Sequence, residues 1–337
     1  MTAPVDRTTR DRAPEGAFVR RDSKIRHWVT PDGAGGFKAE KGRYHLYVAM
    51  NCPWAHRALI MRRLKGLEDV IGLSVTRPQR TDLGWRFGGP SGGGEAGTTE
   101  DRVNGFTHLR EAYLKADPEY AGRFTVPLLW DTRQQTAVNN ESSEIIRMFN
   151  DAFQALTDVD DDYYPEAERA EIDRLNAYVY ENVNNGVYRA GFATSQDAYE
   201  SGYRDVFEAL DLLDARLADQ RYLAGSRLTE ADWRLFPTLV RFDAAYHGAF
   251  KCNKRRLIDY ANLWPYTREL YQVPGMSETV NLAHIKLGYW RKGPRNPFGT
   301  IPKGPALDFT LPHDRHRLPA RPVARLSARR GTALESR

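Results

Sequence analysis

Cysteine is scarce in this chain of 337 residues, which holds only Cys52 and Cys252. Two cysteines so far apart exclude a disulfide-built scaffold and fit a reducing compartment. Cys52 is followed by Pro53, Trp54 and Ala55, so it is no C-x-x-C pair and dithiol oxidoreductase chemistry is excluded. Long apolar runs are missing too. No segment approaches the roughly 20 apolar residues of a membrane helix, and the polar start M-T-A-P-V-D-R leads into no apolar stretch. No secretory signal and no membrane partner are therefore expected, and the expected location is cytoplasmic. The body of the chain also lacks net charge. Seven arginines between residues 313 and 337 face only Asp314 and Glu335, a surplus equal to the whole formal charge of +5. That Pro/Ala/Arg-rich tail has no periodicity and reads as disordered. Nucleic acid is not expected as a partner.

Other signatures fail on inspection. H313-D-R-H316 has no further ligands nearby, so no metal site is expected, and no Ser/His/Asp triad is recognisable. Gly92-x-Gly94-x-x-Gly97 matches the dinucleotide fingerprint in its letters. It neither follows a strand directly nor opens a helix, and no Lys-Ser/Thr follows, so it reads as a flexible loop.

What is present begins at Tyr44–Arg57, Y-H-L-Y-V-A-M-N-C-P-W-A-H-R. A strand-forming run breaks at Asn51, and a helix-compatible run follows Pro53, a residue suited to a first helical turn. Cys52 is thereby expected at a helix N-terminus, where free N–H groups and the dipole favour a thiolate. With no second cysteine in reach, redox chemistry at Cys52 needs an external thiol. His56 lies one helical turn further on and reads as a surface or structural histidine.

A second strand is expected at 70–76, then an irregular insert at about 77–107 and a helix at 108–116. Strands follow near 126–130 and 136–138, and a helix at 139–149 is capped by Ser142 or Ser143. This order fits a thioredoxin-like βαβ–ββα domain over 41–152, preceded by an N-terminal extension, 1–40, outside the core. An acidic linker at 153–166 leads to an all-helical domain over 167–305, in which Thr229-x-x-Asp232 opens a helix over 231–246. The basic disordered tail spans 306–337.

Within this frame Glu141 and Ser142, at a helix start, offer a carboxylate for an amine and N–H and hydroxyl groups for a carboxylate. An ordinary helix cap accounts for the pair equally well. Val126-Pro127 is an extended segment whose backbone suits a peptide-like ligand. Among 17 tyrosines, Tyr188, Tyr246 and Tyr289 sit in polar company and could line a pocket for a phenolic ring.

Together these residues resemble the glutathionyl-hydroquinone reductases, the xi class of the glutathione transferases. The resemblance runs from about Phe18 to Pro305 and is carried by N-C-P-W-A-H-R (51–57), G-W-R-F (84–87), T-V-P-L-L-W-D (125–131) and N-N-E-S-S-E-I-I-R-M-F-N (139–150). N-N-G-V-Y-R-A-G-F-A (184–193), E-A-D-W-R-L-F-P-T-L-V-R-F-D-A-A-Y-H-G (230–248), F-K-C-N (250–253), H-I-K (284–286) and N-P-x-x-x-I-P-x-G-P (296–305) extend it through the helical half. It implies glutathione transferase architecture, Cys52 as nucleophile, and Trp85, Val126, Glu141 and Ser142 as the thiol site. Tyr188 and Tyr289, with Tyr246, would face the aromatic substrate. It also implies no bound cofactor, glutathione or another low-molecular-weight thiol as co-substrate, an aromatic thioether as second substrate, and a homodimer. The chain departs from the family in reading H-I-K-L-G-Y-W at 284–290 instead of H-I-K-x-H-Y-Y, so Gly288 and Trp290 reshape the expected aromatic wall.

The leading expectation is a reductase that removes glutathione from S-glutathionyl hydroquinones through a Cys52 mixed disulfide. An omega-like transferase reducing dehydroascorbate or protein-glutathione disulfides is the enzymatic alternative. A non-enzymatic thioredoxin-fold binding module is the other.

Overall fold

Val, Ile, Leu and Tyr dominate the strands of the first half, and the strand carrying Tyr44–Val48 is buried along its whole length. The computed structural model describes residues 13–89 and 94–321; Gly92 and the distal part of the Arg-rich tail lie outside them. A small parallel pair, β1 (Val29–Thr30) and β2 (Phe37–Lys38), precedes a four-stranded sheet. The sheet strands are β3 (Tyr44–Val48), β4 (Ile71–Val75), β5 (Leu128–Asp131) and β6 (Thr136–Asn139), in the order β4-β3-β5-β6. The β3–β4 pair is parallel, so a crossover is required, and α1 (Pro53–Leu64) provides it. The β3–β5 and β5–β6 pairs are antiparallel. Helices α2 (Leu109–Ala116) and α3 (Ser142–Asp151) complete a thioredoxin-like domain, with α1 and α3 packed together.

The second half is mostly helical. It runs through α4 (Arg169–Val179), a π-helical turn at Tyr180–Asn184, α5 (Gly186–Phe192) and the long α6 (Gln196–Asp219). Then come α7 (Glu230–Leu239), a second π turn at Phe242–Tyr246, the single turn α8 (His247–Ala249), α9 (Leu263–Gln272) and α10 (Leu282–Tyr289). The apolar stripe of α6, Val206, Phe207, Leu210, Leu213 and Leu217, faces the core. Gly202 lets α5 and α6 approach closely, because a Cβ there would stand 2.7 Å from Ala190 N.

Several expectations need correction. The helix expected over 231–246 ends at Leu239 and gives way to the π turn. Pro237 lies inside α7 without ending it; the change comes where Arg241 N donates to Thr238 O and the π turn takes over. The segment 1–40 is not all outside the core: Val29 and Phe37 are buried, at 1% and 7% exposure. His27 N donates to Val138 O and Asn140 N to Ile25 O, so the chain near 25–27 covers the outer edge of β6. Isolated core residues in a polar stretch leave no periodic signal.

The described part of the 77–107 insert is stitched to the sheet rather than loose. Thr99 N donates to Val75 O, and Tyr47 Oη donates to Asp101 Oδ1 at 3.0 Å. Residues 306–321 are packed as well, against the expectation of disorder. Phe309 is buried between the rings of Trp264 and Tyr271, and Arg315 is wholly buried with carbonyls of Leu217, Gln220 and Arg221 as acceptors. Charge composition misread this segment because one of its arginines caps the end of α6. Among the described residues no helix is long and apolar enough to cross a membrane, and no group of three or more His, Cys, Asp or Glu is placed to hold a metal.

Candidate active site

Cys52 is the N-cap of α1, with extended backbone and Pro53 directly inside the helix. The N–H groups of Ala55 and Trp54 reach the sulfur, and Sγ donates to Val126 O at 3.5 Å. The Val126-Pro127 bond is cis. Burial pushes the Cys52 thiol up, while those two N–H groups and the cations Arg241 and Arg20 pull it down. Burial is the larger effect in the free protein. The helix start thus offsets desolvation rather than creating a thiolate unaided, which corrects the expectation drawn from its position alone.

Glu141, not Ser142 or Ser143, caps α3. Asn139 Oδ1 accepts the Glu141 N–H at 2.7 Å, and the Glu141 side chain folds over the first turn. Its Oε1 accepts from Ser143 N at 3.1 Å and Ser143 Oγ at 2.9 Å, and its Oε2 from Ser23 Oγ at 3.0 Å. Burial pushes this carboxyl up, but the hydrogen bonds from Ser143 and Ser23 and the charge of Arg57 outweigh it, so Glu141 is held below the usual carboxylate range. Ser142 is buried at the first position of α3. Trp85 lies in the excursion after β4, buried beneath the Arg80 guanidinium at 5.2 Å. That excursion meets the cysteine loop where Asn51 Nδ2 donates to Pro78 O at 3.2 Å.

The three tyrosines come from separate elements and meet at their hydroxyls. Tyr188 of α5 lies 2.6 Å from Tyr289 of α10, and Tyr246 of the π turn lies 3.0 Å from the same Tyr289 oxygen. All three rings pack around Phe250 at 5.3, 5.3 and 5.4 Å between centroids. Burial raises all three phenols, so each keeps its proton at neutral pH and can donate it. Trp54, two residues from the nucleophile candidate, stands 6.2 Å from the Tyr188 ring and links the cysteine to this cluster.

Other residues around the candidate site escaped sequence reasoning. The Arg20 guanidinium stacks over Trp54 at 4.7 Å and Tyr188 at 4.8 Å, and its Nε donates to Asn185 Oδ1 at 2.8 Å. Phe18 stacks on Phe192 at 5.4 Å. A lone Phe-x-Arg in a polar stretch is the only trace they leave in the sequence. Arg241 is wholly buried beneath the cysteine loop, and its one sequence signal is an arginine inside the apolar run L-V-R-F. His56 is structural and buried, bonded to Thr279 Oγ1 and Arg241 at 2.8 Å each. Burial holds it well below the ordinary histidine range, so it is neutral. Cys252 is wholly buried and its thiol is pushed up to about 12 by burial, which makes it inert.

The two departures at 288 and 290 have different consequences. A Cβ on Gly288 would stand 2.0 Å from Asn51 Nδ2, so glycine is what lets α10 close onto the cysteine loop. Trp290 Nε1 donates to Ala244 O at 3.0 Å, which holds the indole against the π turn that carries Tyr246.

Comparison with known proteins bears on this arrangement. Residues 51–152 match the family described as glutathione S-transferase, N-terminal domain, and residues 196–269 match glutathione S-transferase, C-terminal domain. The glutathionyl-hydroquinone reductase YqjG of Escherichia coli is 52% identical over 307 residues, spanning 89% of this chain and 92% of its own. Its glutathione-bound structure superposes with a TM-score of 0.84, covering 87% of this chain and 96% of that one. Glutathionyl-hydroquinone reductase PcpF of Sphingobium chlorophenolicum is 49% identical over 86% of this chain and 90% of its own. The structure of a xi-class glutathione transferase from Natrialba magadii gives a TM-score of 0.85 at 47% identity, over 91% of this chain and 97% of that one.

Proposed function

This chain belongs to the glutathione S-transferase family, as a xi-class glutathionyl-hydroquinone reductase, and from that premise we propose that it takes glutathione off S-glutathionyl hydroquinones through Cys52. The observation that carries the reading is the position of Cys52. Its sulfur is capped by the start of α1, bonded to Val126 O, and joined through Trp54 to three protonated phenols.

The γ-glutamyl end of glutathione fits the start of α3. There Glu141 offers its carboxylate to the amine, and Ser142 offers N–H and hydroxyl to the carboxylate. The Val126 backbone pairs with the middle of the tripeptide, and an N–H that claims Val126 O frees Sγ from its present acceptor. Trp85 closes the thiol side. The Cys52 thiolate attacks the glutathionyl sulfur, a disulfide forms, and the carbon–sulfur bond breaks with its electron pair going to the ring. The ring carbon takes a proton from solvent, which ionisation of the second glutathione thiol returns. Tyr188 and Tyr289 donate hydrogen bonds to the ring oxygens, and Tyr246 holds Tyr289. A second glutathione thiolate then attacks the mixed disulfide, releasing oxidised glutathione and restoring Cys52. Both electrons that reduce the ring come from thiols, so the scheme draws on no bound cofactor. Glutathione is the thiol in this reading because YqjG, which shares this architecture, has a glutathione-bound structure. A cytoplasmic homodimer goes with the same reading.

The test is turnover of glutathionyl-menadione or a glutathionyl-hydroquinone with glutathione, followed by hydroquinone release. Wild type should turn over and Cys52→Ala should not. Equal rates from the two proteins would refute the assignment.

A further inference from the structure

Arg241 follows α7 and is wholly buried, with 0% exposure. Its Nε donates to Asn51 O at 3.0 Å and a terminal nitrogen to Met50 O at 2.8 Å. The other terminal nitrogen donates to Pro237 O at 2.8 Å and lies 2.8 Å from His56 Nδ1. Among the described residues these hydrogen-bond partners are three carbonyls and one neutral imidazole, with no carboxylate. Arg43, also buried, is by contrast paired to Asp131 at 2.6 Å. A buried cation without a bonded anion is costly unless a counter-charge forms close by.

Arg241 holds the carbonyl of the residue directly before Cys52, and the π turn that carries Tyr246 starts directly after it, so the groups able to supply that counter-charge lie within its field. They are Cys52 at the start of α1, Tyr246 in the π turn and Tyr289 on α10, each of which feels its field. Cysteine has the most acidic side chain of the three. The other groups facing the sulfur are Arg20 from the N-terminal segment, Tyr188 from α5 and the N–H groups of Trp54 and Ala55. None of them is an anion at neutral pH.

We propose that Arg241 is a positioning residue from the helical half, which fixes the Cys52 loop through the carbonyls of Met50 and Asn51 and supplies the buried counter-charge for the Cys52 thiolate. The inference rests on Cys52 being the nucleophile, and not on which aromatic ring it acts upon. It makes the reactivity of a thiol in the thioredoxin-like domain depend on the docking of the helical one.

The experiment measures the rate of Cys52 alkylation by iodoacetamide across pH 5–10 in the full chain, with the modified peptide identified by mass. Cys252 stays silent because it is buried and protonated. Arg241→Gln should move the midpoint of the rate profile up by about one unit or more, while Arg241→Lys, which keeps the charge, should stay close to wild type. An unchanged midpoint in Arg241→Gln would overturn the proposal and leave only a structural pin. Should that variant fail to fold, Cys52→Asp and Cys52→Asn with Arg241 intact decide the matter. A permanent anion facing a buried cation should melt no lower than its neutral isostere, and an Asp variant melting well below Asn would overturn the counter-charge. Neither readout uses glutathione or a hydroquinone. A failed substrate assay and a failed counter-charge are therefore told apart.

Discussion

At the scale of single residues, Gly288 separates pocket chemistry from packing. The sequence marks it as a departure in the aromatic wall, yet its missing side chain is what leaves room for Asn51 Nδ2, 2.0 Å from where a Cβ would stand. Gly288→Ala must push Asn51 off Pro78 O and shift the loop that ends at Cys52. Ala gains up to about 1 kcal/mol of helix propensity, but overpacking costs about 1–3 kcal/mol, so a net loss of stability is expected by denaturant titration. Turnover should fall on the order of tenfold, because the nucleophile is displaced. Cys52 itself was legible, since Pro53 after a strand run marks a helix start by backbone chemistry alone. His56 was not. Its partners Thr279 and Arg241 lie about two hundred residues further along the chain, and local spacing carries no trace of them.

At the scale of elements, the order of the sheet domain was readable because each strand and helix carries its own periodicity. The joints were not. Glu141 takes the cap from Ser142 and Ser143 because Asn139 bends the chain before it. α7 ends at Leu239, where a tightened turn from Thr238 to Arg241 leads into the π turn that presents Tyr246. The N-terminal segment is the largest element hidden from sequence, since it contributes single residues: Arg20 over Trp54 and Tyr188, Ser23 on Glu141, and a backbone ladder on β6. Removing residues 1–28 should raise the KM for glutathione on the order of tenfold, the loss expected for one hydrogen bond to a charged group. Steady-state kinetics at varied glutathione will check it, and an unchanged KM would mean that Ser23 and Arg20 contribute packing alone.

At the scale of the whole molecule, the proposed site draws on three distant parts of the chain. The thioredoxin-like domain gives Cys52, Val126, Glu141 and Ser142, the helical half gives the tyrosines and Arg241, and the N-terminal segment gives Arg20. The other end of the chain does a different job. Residues 306–321 strap α6 and α9 together through Arg315 and Phe309, with Gln272 Nε2 donating to the carbonyls of Phe309 and Leu311 at 2.9 Å each. Truncation after Pro305 should lower the thermal midpoint by roughly 5 °C or more, since it strips the α6 carbonyls of their donor. Composition could not foresee this, because net charge does not say which arginine is buried.

In the proposed reaction the route of the glutathionyl sulfur through Cys52 is decisive. It is tested most directly by mixing the enzyme with one equivalent of a glutathionyl-hydroquinone, without free glutathione, and analysing the quenched protein by peptide mass spectrometry. One glutathionyl unit is expected in disulfide linkage on the Cys52 peptide, matched by one equivalent of released hydroquinone and cleared by added glutathione. Hydroquinone release with no adduct on Cys52, or an adduct on Cys252 instead, would contradict it.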